Sequence, residues 1–298
     1  MNDEIEIHAS EGQHWYQPDG TPVYEVPAKD GHMRPATLRD ARKLGLYPGV
    51  SSILDQIVKP GLQAWRETQV LMAALTLPRK PVVRGADCAH CDGTGASPIK
   101  GQRCDWCDGA GFECIREPEA EWLALVKQDA QAQSRAAADR GTEIHAEIER
   151  YFGGGYDASE MVSAVLDALR FTFGSDFPID DGYPERTFAH PLGFGGKSDV
   201  VFIAEEQLVC DFKTKDAWEL GAKLHYPEMA MQLAAYREGL GFPDARCANV
   251  FITRDAPFAV QIHEWPQAEL DVAWRKFQAL LTYWKCDKGY DPADTPAL

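Results

Sequence analysis

No apolar run in this chain approaches the ~20 residues that a membrane-spanning helix needs, so a bundle of transmembrane helices is excluded and no membrane partner is expected. Basic charge is also scarce. Lys and Arg number 30 against 46 Asp and Glu, a formal net charge of −16. A protein that coats nucleic acid by neutralising phosphates needs clustered cations, and that class is therefore disfavoured. Cleavage of nucleic acid is not, because a site for divalent metals needs local negative charge and the metal then faces the phosphate. The N-terminal stretch lacks the basic-then-apolar layout of a secretion signal, so a cytoplasmic location is expected. With 45% hydrophobic and 26% charged residues over 298 positions, the chain has the composition of a globular protein. That length allows one substantial core plus an insertion.

Eight cysteines are present, but they are not spaced as a disulfide framework. Cys114, Cys210, Cys247 and Cys286 are dispersed. The other four form two copies of one unit, C-x-x-C-x-G-x-G: Cys88-Ala-His-Cys91-Asp-Gly93-Thr-Gly95 and Cys104-Asp-Trp-Cys107-Asp-Gly109-Ala-Gly111. Each pair can chelate from one tight turn, with glycines letting the backbone fold beneath the sulfurs. Together Cys88, Cys91, Cys104 and Cys107 read as a tetrahedral four-cysteine site with structural Zn²⁺ as the natural occupant. A segment with so little apolar content needs such a staple to fold. The repeated unit resembles the zinc-binding module of DnaJ-type chaperones. That module has four such units and this chain has two, which favours a local staple over a chaperone role.

The cysteine segment, 81–116, interrupts a helical pattern and divides the chain into 1–80, the insertion, and 117–298. Before it, a strand-like stretch near Pro22–Val26 precedes a helix capped by Ser51 or Ser52. Lys59-Pro60-Gly61 breaks that helix, and a second one runs through Trp65 until Pro78 stops it. After the insertion, helical periodicity runs from about Pro118 through Val126, and a second stretch runs from Gln131 to Phe152, ended by three glycines. A helix over Ser159–Phe173 follows. Strands are expected at Pro184–His190, Phe194–Ala204 and Leu208–Lys213, then a helix over Pro227–Leu240. Strands at Ala248–Thr253 and Ala259–Glu264 and a closing helix from Gln267 to Lys285 complete the order. The expected class is α/β, with a mixed central sheet flanked by helices.

In Leu208-Val-Cys-Asp-Phe-Lys, Asp211 and Lys213 are two apart on a strand and so share a face, while Cys210 and Phe212 face the other way. The preceding strand carries Gly196-Lys-Ser-Asp199, and a meander lays it alongside. Two carboxylates and a lysine at one place suit phosphodiester hydrolysis: the carboxylates hold a hard cation, and the lysine orients water or stabilises developing charge. On the helix that ends at Phe152, His145 and Glu149 are i,i+4 and share a face. Gln232 and Tyr236 are likewise i,i+4.

These pieces, in this order, resemble the PD-(D/E)XK nuclease superfamily and within it the RecB-like and phage exonuclease branch. Arg140-Gly-Thr-Glu-Ile-His145 resembles that branch's G-T-x-x-H helix. Gly196-Lys-Ser-Asp199 resembles its G-x-x-D element, Asp211-Phe212-Lys213 its D-x-K element, and Gln232-Leu-Ala-Ala-Tyr236 its Q-x-x-x-Y helix. Tyr47-Pro-Gly-Val-Ser-Ser-Ile-Leu54 followed by Lys59-Pro-Gly-Leu-Gln-Ala-Trp65 resembles the leader of phage members. The resemblance implies a restriction-endonuclease-like core and a DNA exonuclease using Mg²⁺ or Mn²⁺. It places His145, Asp199, Asp211 and the backbone carbonyl of Phe212 on the metal, with Lys213, Gln232 and Tyr236 at the reaction. Glu185 stands where the family often has an acidic residue on its first strand, and Glu149 is an accessory beside His145. RecB-like nucleases often carry an iron–sulfur cluster on cysteines bracketing the core; the local, glycine-paired spacing here favours zinc. By the same resemblance, a homo-oligomer or a phage recombination or single-strand-binding partner is in keeping. Two other readings use the same residues: an endonuclease or CRISPR-adaptation-type end processor, and a zinc-containing adaptor that binds nucleic acid or protein without cleaving.

Overall fold

The computed structural model describes residues 14–77, 83–97, 99, 102–107, 109–115, 119–155, 157–203, 206–219 and 221–294. In chain order come β1 (Trp15–Tyr16), β2 (Pro22–Val23), β3 (Glu25–Pro27), β4 (Met33–Pro35), α1 (Leu38–Leu44), β5 (Tyr47–Pro48) and α2 (Val50–Leu54). They are followed by α3 (Pro60–Thr76), β6 (Val83–Asp87), β7 (Phe112–Ile115), α4 (Glu119–Phe152) and α5 (Glu160–Phe173). The remainder is β8 (Gly182–His190), β9 (Phe194–Phe202), β10 (Leu208–Lys215), α6 (Pro227–Gly239), β11 (Arg246–Thr253), β12 (Val260–Trp265) and α7 (Gln267–Lys288). The chain forms two compact units, Met1–Lys59 with Ala137–Leu298, and Pro60–Ala136. Among the described residues no helix is long and apolar enough to cross a membrane.

The first unit is built on a five-stranded mixed sheet in the order β12-β11-β10-β9-β8. β8, β9 and β10 form an antiparallel meander, β10 and β11 are parallel, and β12 returns antiparallel. Parallel neighbours need a crossover, which α6 supplies. Side chains alternate across the sheet, and both faces are covered. Val201, Val209, Cys247 and Phe251 on one face join a core with α2, α6 and α7. Val200, Phe202, Leu208, Cys210, Phe212, Val250 and Ile252 on the other pack against Ile144, Ile148 and Phe152 of α4 and the apolar side of α5. The expected alternation in β10 is what the structure shows.

The helix ends follow local chemistry. α5 is capped by Ser159, whose hydroxyl accepts from the Val162 N–H at 3.2 Å. α6 begins with Pro227 at its first position, where the missing N–H costs nothing.

Several expectations need correction. The two helical stretches around Val126 and Gln131–Phe152 are one helix, α4, of 34 residues. The sequence between them, Lys-Gln-Asp-Ala-Gln, holds no glycine or proline and gives the helix no reason to stop. The strand-like stretch near Pro22 is two short strands, β2 and β3, in different sheets. α1 was not expected. It is set by a capping box between Thr37 and Asp40 and ends on Gly45 in the left-handed region at φ 67°. β8 and β11 each begin two residues earlier than expected, and β10 runs on to Lys215. Pro78 as a helix stop, Pro118 as a helix start and Ala204 as a strand end lie outside the described residues.

In the second unit α3 and the start of α4 share a small cluster of Ala73, Val126 and Ala130. β6 and β7 pair antiparallel, and the cysteine segment lies between them.

Candidate active site

Strand register lines up the polar residues. β10 pairs with β9 through Leu208↔Phe202, Val209↔Val201 and Cys210↔Val200, and there the ladder stops. The next rung would set Asp211 opposite Asp199, and like charges directly opposite destabilise a ladder. On the far side of β9, Pro184↔Val200 and Arg186↔Ser198 flank a missing rung that would be Glu185 opposite Asp199. On the far side of β10, Asp211 pairs with Asn249, which pairs with His263. By register, Glu185, Asp199, Asp211, Asn249 and His263 therefore fall on one polar row across all five strands of the sheet.

Where the ladder stops, a side chain replaces it. The Phe212 backbone N–H donates to Asp199 Oδ2 at 2.7 Å. In an extended chain the N–H and C=O of one residue point to the same side, so the Phe212 carbonyl faces the same gap. The other Asp199 oxygen lies 3.5 Å from His145 Nδ1. The His145 ring meets the Phe212 ring edge-on, with centroids 6.4 Å apart. Gly141, one turn before His145, lets α4 lie close to β10: a Cβ there would sit 3.0 Å from Thr214 Oγ1.

Asp211 is buried, with 2% of its surface exposed. Lys213 Nζ lies 2.8 Å from its Oδ1 and 2.7 Å from its Oδ2. Asn249 Nδ2 donates to Oδ2 at 2.7 Å, and the Asn249 carbonyl accepts from Trp265 Nε1 at 2.7 Å. Lys213 also donates to Gln232 Oε1 at 3.2 Å, and Gln232 Nε2 donates to Tyr236 Oη at 2.8 Å. Gly196 leaves room for this chain, since a Cβ there would meet Phe188 Cζ at 2.5 Å and Tyr236 Cε1 at 3.2 Å.

Burial and charge pull these groups in different directions. Burial, helped by the charge of Asp199, holds the Asp211 carboxyl above its ordinary range despite Lys213. Burial acts on Asp199 the same way, but His145, Lys213 and the Phe212 N–H outweigh it and hold that carboxyl low. For His145 and Lys213, burial favours the neutral forms, but the neighbouring carboxylates prevail and both titrate high. Burial raises the Tyr236 phenol well above its usual value, with the two aspartates adding to it.

The accessory acids lie to one side. Glu185 forms an ion pair with Lys197, and its backbone is left-handed at φ 53°, a conformation that costs a non-glycine residue about 1–3 kcal/mol. The charge of Glu149 acts on Lys197 and Tyr24. Reading of the sequence missed Asn249, Trp265 and Lys197. Asn249 did carry a signal, as the one amide inside the apolar run Cys-Ala-Asn-Val-Phe-Ile.

The donor chemistry of His145, Asp199, Asp211 and the Phe212 carbonyl fits a hard divalent cation. A cation between the carboxylates would also relieve the Asp199 repulsion that adds to burial in holding Asp211 high. The side-chain donors are looser here than around an ion. Among the described residues only Cys88, Cys91, Cys104 and Cys107 bring three or more such donors within 4.8 Å of one another.

Those four cysteines form a pseudo-twofold cluster. Cys88 and Cys104 sulfurs lie 3.9 Å apart and Cys91 and Cys107 sulfurs 3.7 Å, far beyond the ~2.05 Å of a disulfide. Gly95 N–H donates to Cys91 Sγ and Gly111 N–H to Cys107 Sγ, each at 3.3 Å. The Cys88 N–H donates to the Gly111 carbonyl and the Cys104 N–H to the Gly95 carbonyl, each at 3.0 Å. A Cβ on Gly95 would strike the Gly109 carbonyl at 2.3 Å, and one on Gly111 the Gly93 carbonyl at 2.4 Å. Each copy thus seats the other, and four converging sulfurs can hold a metal.

No protein-family model matches the sequence, and no curated protein matches it. Among solved structures, SSO0001 aligns over 60% of this chain and 77% of its own, at 18% identity and a TM-score of 0.28. An assigned exonuclease from Eubacterium rectale aligns over 50% and 68%, at 13% identity and a TM-score of 0.36. An alkaline exonuclease from Laribacter hongkongensis aligns over 48% of this chain and 92% of its own, at 14% identity and a TM-score of 0.23. At TM-scores this low the likeness implies no shared activity.

Proposed function

We propose that the chain is a divalent-metal-dependent deoxyribonuclease with a PD-(D/E)XK core, acting as an exonuclease on DNA. The observation that carries this is the junction of Asp199 and Asp211, on a rung the ladder leaves open, with Lys213 held between Asp211 and Gln232. The exonuclease part rests on the resemblance of the G-T-x-x-H and Q-x-x-x-Y helices and the leader segment.

In this reading Asp199, Asp211, the His145 imidazole and the Phe212 carbonyl hold Mg²⁺ or Mn²⁺. When bound, such an ion supplies positive charge to a phosphate oxygen and makes nearby water more acidic. Lys213 has three N–H donors within reach of both Asp211 oxygens and Gln232 Oε1, and water or a phosphate oxygen would take over one of these contacts. Its raised pKa keeps it cationic, so it stabilises charge developing on the phosphate rather than accepting a proton. Tyr236 fixes Gln232, and Gln232 fixes Lys213. Water attacks phosphorus opposite the leaving sugar oxygen, and the phosphodiester bond to that oxygen breaks. The four-cysteine cluster takes no part in this chemistry and holds Zn²⁺ as a staple for its own segment.

The test offers linear duplex, nicked circle, closed circle and single strands with Mg²⁺, Mn²⁺ or EDTA. Linear DNA should be degraded from its ends with either metal, closed circles should persist, and EDTA should silence the reaction. Closed circles cut as fast as linear DNA would make it an endonuclease. If every substrate survives with both metals, the proposal fails.

A further inference from the structure

Cations near the site are already engaged. Lys213 pairs with Asp211, Lys197 with Glu185, Arg254 with Asp216 and Arg140 with Glu143. Lys215 differs. It is half-buried at the end of β10 and, among the described residues, is seen in no ion pair, the charges of Glu228 and Asp216 acting on it only from further off. Its ammonium instead lies 5.7 Å from the centre of the Tyr226 ring. A ring face holds a cation in place without using its N–H donors in strong hydrogen bonds, so those donors stay available to an anion. In a chain with 46 acidic against 30 basic residues, a placed lysine without a close ion-pair partner needs a reason.

Position supplies one. Lys215 is two residues beyond Lys213 on the same strand, so both point to the face that carries Asp211, separated by about 6.7 Å along the strand. The end of β10 is tied to the end of β11, where the Arg254 N–H donates to the Lys215 carbonyl at 3.0 Å. Arg140 Nε donates to the Arg254 carbonyl at 3.0 Å, so cationic side chains gather at this end of the sheet, one step from the carboxylates.

We infer that Lys215 binds a backbone phosphate of the nucleic-acid strand flanking the bond to be cleaved, and so fixes the side on which the strand passes Lys213. The inference rests on the nuclease reading. The contact is sequence-independent and electrostatic, and it acts on substrate binding rather than on the chemical step.

The test compares the wild type with K215Q and K215R, all checked for unchanged thermal midpoints. Initial rates on a labelled linear duplex are followed with Mn²⁺ across roughly 50–300 mM KCl, a range set by the salt dependence of phosphate contacts, roughly one unit of log–log slope per contact. Binding of the same labelled duplex is read by fluorescence anisotropy with Ca²⁺ in place of Mn²⁺. K215Q should raise KM and weaken binding roughly tenfold, leave kcat within about twofold, and flatten the salt slope by about one. K215R should restore all three. If the wild type cleaves DNA and K215Q matches it in KM, anisotropy and slope, this inference fails and the nuclease reading stands. If the wild type neither cleaves nor binds the duplex, this inference falls, and the nuclease reading falls with it only when single strands survive as well.

Discussion

Asn249 donates to Asp211 Oδ2 at 2.7 Å from a side chain with no exposed surface. An amide can present either oxygen or nitrogen to its neighbour. Trp265, a pure donor, takes the oxygen and leaves only the NH₂ for the carboxylate. A tryptophan at the end of β12 thereby decides what Asp211 meets two strands away.

Asn249→Leu keeps the volume but strands the Trp265 N–H in the interior and leaves Asp211 Oδ2 with Lys213 alone. Stability should fall by about 1–3 kcal/mol, the cost of leaving buried groups unsatisfied. Trp265→Phe keeps the amide and removes one donor, so its loss should be smaller. Urea midpoints check both; an Asn249→Leu protein as stable as the wild type would show that the link carries no energy.

Asp199→Asn, Asp211→Asn and Lys213→Ala should each slow DNA degradation by roughly 10²–10⁴-fold, the usual worth of groups that act on charge in the transition state. Gln232→Ala acts one bond away, through Lys213, and should cost about tenfold. Far-UV circular dichroism must stay unchanged for these losses to count. A Lys213→Ala enzyme at wild-type rate would remove the lysine from the chemistry.

One zinc ion per chain should appear in elemental analysis of protein prepared without chelator. Cys104→Ser should lose it and raise hydrogen exchange across 83–115, because the segment has little apolar core beyond the cysteines. Brief EDTA treatment followed by Mg²⁺ should restore cleavage if the two metals serve separate sites.

Arg34, with Thr37, holds the Asp40 carboxyl well below the usual carboxylate range. A depressed carboxylate stabilises the fold above the pKa it has when unfolded, and that contribution fades as pH falls through the folded value. Asp40→Ala should therefore lower stability at pH 7, and progressively less as pH drops below about 4. Denaturation curves of both proteins at pH 7 and pH 3 measure the difference.

The strands and the α6 crossover were readable because their apolar runs are long and bounded by Gly, Pro and acidic turns. The shared face of Asp211 and Lys213 followed from alternation alone. α1 was not read: seven residues, four of them charged, carry no apolar period, and only its Thr37 and Gly45 mark it. β1, β2 and β5 are two residues each and exist only because they pair with one another. Glu185 could be placed on a strand from sequence, but its pairing with Lys197 depends on a left-handed turn of backbone that no residue type announces. The row from Glu185 to His263 depends on register, which no single strand contains.

Stopping the β9–β10 ladder at Cys210↔Val200 leaves two acids facing each other and a peptide group without its usual partner. One more rung would make a more cohesive sheet and would close the gap between the carboxylates. Stability and activity therefore compete for the same few ångströms. Asp211, which burial and the charge of Asp199 hold high, is the acid whose neutralisation favours the sheet. Asp199, held low by His145, Lys213 and the Phe212 N–H, stabilises the fold as an anion. A screen for thermal tolerance in this protein should therefore recover inactive variants at Asp211 and not at Asp199.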